Sequence, residues 1–135
     1  MNRRVLLGMV IAILVVMNPG VGIAQSKPAK PTVVFQRVAV PQTNRELGFG
    51  LAEFPPNTSK PHQMAKGPEV CYVLQGEVTV RIDGREPTTY RVGETWQMPA
   101  GVVHQTTAGP HGAKVLASWV DTPGQHFNTI TPVSH

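Results

Sequence analysis

The chain has 135 residues, 12 Lys and Arg against 8 Asp and Glu, a net charge of +4 and a single cysteine. That length suits one domain with one core. No basic stripe interleaved with aromatics runs along it, which excludes a nucleic-acid interface as the meaning of the basic balance, and one cysteine excludes an internal disulfide.

In chain order, the first element is a targeting segment. Asn2-Arg3-Arg4 is a short basic start, and Val5 to Met17 is an apolar run broken only by glycine and alanine. The run is too short for a membrane span, which takes roughly 20 apolar residues. Asn18-Pro19-Gly20 ends it, and Gly22 and Ala24 put small residues at the two positions a signal peptidase inspects. Residues 1–24 therefore read as a signal peptide, with a mature chain that starts at Gln25, is periplasmic or secreted, and has no stable membrane insertion after cleavage. An uncleaved N-terminal anchor is the competing reading. Arg3-Arg4 also permits a twin-arginine route, although the serine and phenylalanine expected around that pair are missing. Without Arg3 and Arg4 the net charge falls to +2, so the basic balance says little about partners.

Residues 25–31 are a Lys/Pro lead-in, 32–122 a single barrel domain and 123–135 a C-terminal tail. Within the domain the pattern is strands and turns. Thr32–Val40 and Leu47–Phe54 have strand composition, VCYVL (70–74) is followed by Gly76 and VTVRI (78–82), and Asp83-Gly84 is a hairpin signal before TTYRV. ETWQM (94–98), VVHQTT (102–107) and AKVLASWV (113–120) complete the series. No window after the signal segment carries a 3.6-residue stripe. About eight short strands with frequent turns predict an all-β, antiparallel sandwich or barrel. Cys71, alone in an exported chain, is expected in the core.

The chemistry gathers in SKPHQMAKGPEVCYVLQGEV, residues 59–78. His62 and Met64 are two apart and share a face if extended. Gly67-Pro68 turns the chain, and Glu69 then shares its face with Cys71 and Val73, leaving Val70, Tyr72 and Leu74 on the other. His104 follows the Pro99-Ala100-Gly101 turn and is placed to arrive from across the barrel. Two imidazoles and a carboxylate converging inside a barrel would bind a first-row transition metal with open positions.

These residues resemble the cupin family of small jelly-roll β-barrels. Its first motif has two histidines with one residue between, a glutamate after three or four more and a glycine after a further six. His62, Met64, Glu69 and Gly76 stand at those spacings, with methionine for the second histidine. Its second motif is matched by Gly93, Pro99, Gly101 and His104, with Ala108 in place of a final asparagine. The resemblance spans roughly Phe49 to Val120 and implies a single antiparallel jelly-roll barrel, commonly a homodimer, here through Thr32–Val40.

It implies His62, Glu69 and His104, with Met64, as ligands of one transition-metal ion (Cu, Fe, Mn, Zn or Ni). Three readings of Met64 stay open. Its thioether is a ligand favouring copper(I), or it packs beside a two-histidine, one-carboxylate site, or the barrel has lost its metal and binds something else. The activity implied is oxygenase, isomerase or decarboxylase chemistry on a small organic molecule. The alternative is a non-catalytic metal- or small-ligand-binding protein. A salt bridge to Arg81 or Arg91 is the competing account of Glu69, and His111, His126 and His135 read as solvated.

Overall fold

The computed structural model describes residues 27–133; the expected signal segment, the first lead-in residues and His135 lie outside them. The strands are β1 (Lys27–Pro28), β2 (Val33–Ala39), β3 (Glu46–Phe54), β4 (Thr58–Ser59), β5 (Gln63–Ala65), β6 (Glu69–Ile82), β7 (Thr88–Arg91), β8 (Thr95–Met98), β9 (Val103–Asp121) and β10 (Asn128–Ile130). Every pairing is antiparallel except β1 with β4. The described residues contain no helix long and apolar enough to cross a membrane. The fold is all-β, a sheet curled into the jelly-roll barrel that the sequence predicts.

Two of the expected strand pairs are each one long strand. VCYVL and VTVRI join as β6, and VVHQTT and AKVLASWV join as β9. Both bend instead of ending, because a glycine sits at each corner. Gly76 (φ 70°) lies at a register shift in the β6–β9 ladder and is paired with Ala113. A Cβ at Gly76 would run into the Gly112 carbonyl, and Gly112 itself has φ 76°. An extra residue accommodated in the left-handed region bends and twists a strand without breaking its pairing. The same two strands can therefore serve both halves of the barrel.

Alternation sets what faces in. Along β6, Cys71 and Val73 are buried while Val70, Tyr72 and Leu74 are exposed, the division expected from strand parity. Along β9, Val115, Ala117, Trp119 and Asp121 are buried, as are His104, Thr106 and Ala108. Ala52 and Phe54 of β3 and Trp96 and Met98 of β8 close the core. The segment read from sequence as a tail contributes β10, which pairs with β5 (Asn128↔Ala65, Thr129↔Met64, Ile130↔Gln63). Phe127, just before it, packs on Trp119 with ring centroids 6.2 Å apart.

Candidate functional site

Strand β5 is three residues long and lies between Pro61 and Gly67-Pro68. Its neighbour β9 pairs Gln63 with His104 and Met64 with Val103. Directly opposed residues point to the same face, so Gln63 travels with His104. Both line a cavity of about 490 Å³ inside the barrel, together with Lys60, Glu69, Cys71 and Thr106. Phe54, Trp96, Trp119 and Phe127 supply its apolar walls, and Ala29 to Thr32 and Gln125 to Asn128 edge it. A larger groove of about 830 Å³ shares Cys71 and Trp96 but contains none of Gln63, Glu69 and His104. The chemistry belongs to the smaller space.

Several polar groups in the cavity have defined partners. The His104 Nδ1 is 3.0 Å from the Val102 carbonyl. A carbonyl only accepts, so Nδ1 carries the proton, and in the neutral ring Nε2 is left as an acceptor. Glu69 Oε1 accepts the Cys71 thiol at 3.0 Å, which leaves its second oxygen for a ligand. Burial, and then the Glu69 charge and this hydrogen bond, push the Cys71 pKa far up. With no ion bound, Cys71 therefore stays a thiol and a donor to Glu69, and among the described residues Cys71, Glu69 and His104 do not come together to hold one ion. The Lys60 ammonium donates to the Lys30 carbonyl at 2.6 Å and to Thr32 Oγ1 at 3.3 Å, and sits 5.6 Å from the Phe54 ring centroid. Burial lowers its pKa, and the field of Glu69 opposes that. At another part of the cavity wall Asp121 is buried and fully engaged. It accepts Trp119 Nε1 at 3.0 Å and pairs with Arg37 at 2.8 Å, and Arg37 also pairs with Glu46.

His62 and Met64 share a face, but it is the face turned away from the cavity. The His62 ring bridges two oxygens, with Nε2 2.8 Å from Asp83 Oδ1 and Nδ1 2.8 Å from the Thr131 carbonyl. Both partners only accept, so the imidazolium is the form that satisfies both. Its pKa is raised, first by the Asp83 hydrogen bond and then by Thr131. Met64 lies between Val103 and Thr129 in the ladders to β9 and β10. Among the described residues, no three of His, Cys, Asp or Glu come together to hold one ion.

The structure thus brings Glu69 and His104 to one cavity and leaves out His62 and Met64. Sequence reasoning missed Gln63 and Lys60. The signal for Gln63 was present in the spacing: counting three residues to Glu69 in place of four selects Gln63 and Ala65. Ala65 is fully buried on the inward face. A methyl group cannot coordinate, and one imidazole, one carboxylate and one amide do not fit a resident transition-metal ion, which takes three or four strong protein donors. The competing salt bridge of Glu69 is also absent among the described residues, since Arg91 faces Glu77 at 3.6 Å.

A family model for the cupin domain matches residues 50–119. Comparison with curated proteins finds no match. Among solved structures, an uncharacterized conserved protein with a double-stranded β-helix domain from Klebsiella pneumoniae superposes with TM-score 0.60 at 18% identity, covering 86% of this chain and 90% of its own. The DMSP lyase DddQ from Ruegeria pomeroyi gives TM-score 0.57 at 20% identity over 63% of this chain and 43% of its own. Oxalate oxidase in complex with the substrate analogue glycolate gives 0.50 at 22% over 57% and 46%. This chain spans less than half the length of those two enzymes. Likeness at these identities is likeness of fold.

Proposed function

The chain belongs to the cupin family, and on that premise we propose that it binds a small polar organic molecule in the barrel cavity. The observation that carries this reading is a cavity of about 490 Å³ lined by a buried histidine, a carboxylate and an amide among aromatic side chains. A concave space in which a few convergent polar groups stand against aromatic side chains is the usual place for a small-molecule site. Glu69 and the Nε2 of His104 offer acceptors, Gln63 offers both donor and acceptor, and Lys60 offers positive charge near the edge. The complement is a small ligand with hydroxyl or ammonium donors and an acidic group. The metal-dependent oxygenase, isomerase or decarboxylase implied by the family resemblance would need stronger donors on β5 than an amide and a methyl. Binding, without an assigned reaction, is therefore the reading that fits the residues.

Two further proposals accompany it. Export rests on the apolar run and small-residue site at residues 1–24, and is tested by the intact mass of the mature form beginning at Gln25. A homodimer is supported by β2. Val33, Val34, Phe35 and Val38 are all exposed there, and β2 ends the sheet path with β3 as its partner. Light scattering of wild type and Val38→Lys checks it, and a wild-type monomer ends it.

The binding proposal is tested by thermal shift and calorimetry with glycolate and glycine, which carry a hydroxyl or ammonium donor beside an acid. The expected result is a rise in Tm with at least one of these, lost in Glu69→Gln and in His104→Leu. Equal binding by wild type and both variants would place the ligand elsewhere and end the proposal.

A further inference from the structure

The family pattern leaves the distance from the histidine pair to the glutamate open by one residue, and a strand changes face with each residue. Here the ladders decide. Gln63 is opposite His104, and Ala65, two residues on, is fully buried while Met64 is opposite Val103. By strand parity the two inward positions on β5 are thus Gln63 and Ala65; Gln63 lines the cavity with Glu69 and His104, and Ala65 is buried on the same face. Lys60 lines the same cavity, with its ammonium held at the edge by the Lys30 carbonyl and Thr32.

We propose that this barrel holds its ligand without a resident metal ion, by hydrogen bonds to Gln63, Glu69 and His104, because its β5 carries an amide and a methyl at the two positions where a metal-binding barrel needs imidazoles. This rests on the cavity being the ligand site, and it has a consequence that a simple absence of metal would not have. Two substitutions should complete the site: Q63H and A65H add two imidazoles on one face, two residues apart, opposite an existing histidine and near an existing carboxylate.

The test uses the mature chain and cobalt(II), whose visible absorption reports coordination. Wild type and the Q63H/A65H variant are incubated with Co²⁺ and desalted, and retained metal is measured with the spectrum. Wild type is expected to retain less than about a tenth of an equivalent, and the double variant about one equivalent with new visible bands that disappear when His104→Ala is added. Circular dichroism confirms that each variant folds. If the fully buried position 65 does not accept histidine, Q63H alone is read instead, with cobalt affinity expected to rise at least tenfold or so from the third strong donor.

The inference is overturned if wild type retains about one equivalent that Glu69→Gln or His104→Ala releases. It is overturned equally if no folded β5 variant gains cobalt, since Gln63 would then not face His104. Failure of the ligand proposal reads separately. Loss of all thermal shifts with an unchanged cobalt result would remove the binding reading and leave the metal-free interior standing.

Discussion

His62, just before β5, and His104, on the neighbouring β9, are the same residue type, and they do opposite jobs. His104 is buried, spends one ring nitrogen on the carbonyl of Val102 and gives the other to the cavity. His62 spends both, on Asp83 and on Thr131, and so ties β5 to the β6–β7 turn and to the residue after β10. The first is placed for a ligand and the second is a structural clasp. Sequence motif alone ranks them equally. What separates them is parity on a three-residue strand. A histidine is a candidate ligand only where its second nitrogen is left free toward an enclosed space.

The comparison depends on the corner that holds both faces in register, and the largest effect is expected there. Gly76→Val adds a β-branched side chain at φ 70° against the Gly112 carbonyl. A loss of roughly 3 kcal/mol or more is expected, or failure to fold, measured by denaturant unfolding. A loss below about 1 kcal/mol would mean that the strands do not bend at this glycine.

On the inner face, His104→Leu removes an acceptor from the cavity and Glu69→Gln removes the carboxylate charge. Each is expected to weaken ligand binding by about tenfold to a hundredfold, or roughly 1.4 to 2.7 kcal/mol, by calorimetry. The matching change on the outer face, His62→Gln, should leave ligand affinity within about twofold. Reversal of that order would exchange the two histidines' roles.

The outer clasp has a pH signature. The folded His62 pKa is raised by Asp83 and Thr131, so its stabilisation is fully present below the unfolded value near 6.5 and is lost as pH rises through the elevated folded value. Asp83 is half exposed, which screens the pair, and Asp83→Asn is expected to cost only about 1 kcal/mol at pH 5.5. The gap between wild type and Asp83→Asn should close above the raised pKa. A gap that widens with pH would show that His62 is held as the neutral ring.

The smallest effect is expected at Met64. Met64→Leu conserves volume on a face with no cavity, and should change stability by less than about 1 kcal/mol and ligand affinity not at all. Selective loss of copper(I) affinity in this variant would restore the thioether-ligand reading.

How much was legible follows from where the signals lie. Strand and turn composition pointed to an all-β barrel, and the run that follows Glu69 carried its own phase, since a long strand keeps parity. Cys71 and Val73 are accordingly inside, and Tyr72 and Leu74 outside. The joining of VCYVL to VTVRI as one strand was not legible, because Gly76 reads equally as a turn or a bulge until Gly112 is seen facing it. The partners of His62 were not legible either, as Asp83 lies 21 residues away and Thr131 lies 69.

By itself the sequence determined the class of fold, the one-domain core and two of the inward polar residues, Glu69 and His104, because long alternating strands announce their own buried face. Only the tertiary structure decided β5. Pro61 on one side and Gly67-Pro68 on the other interrupt the strand, so no alternating run carries its phase to either neighbour. With a period of two residues, a slip of one exchanges the faces completely. It took the pairing of Gln63 with His104 to turn Gln63 and Ala65 inward and His62 and Met64 out.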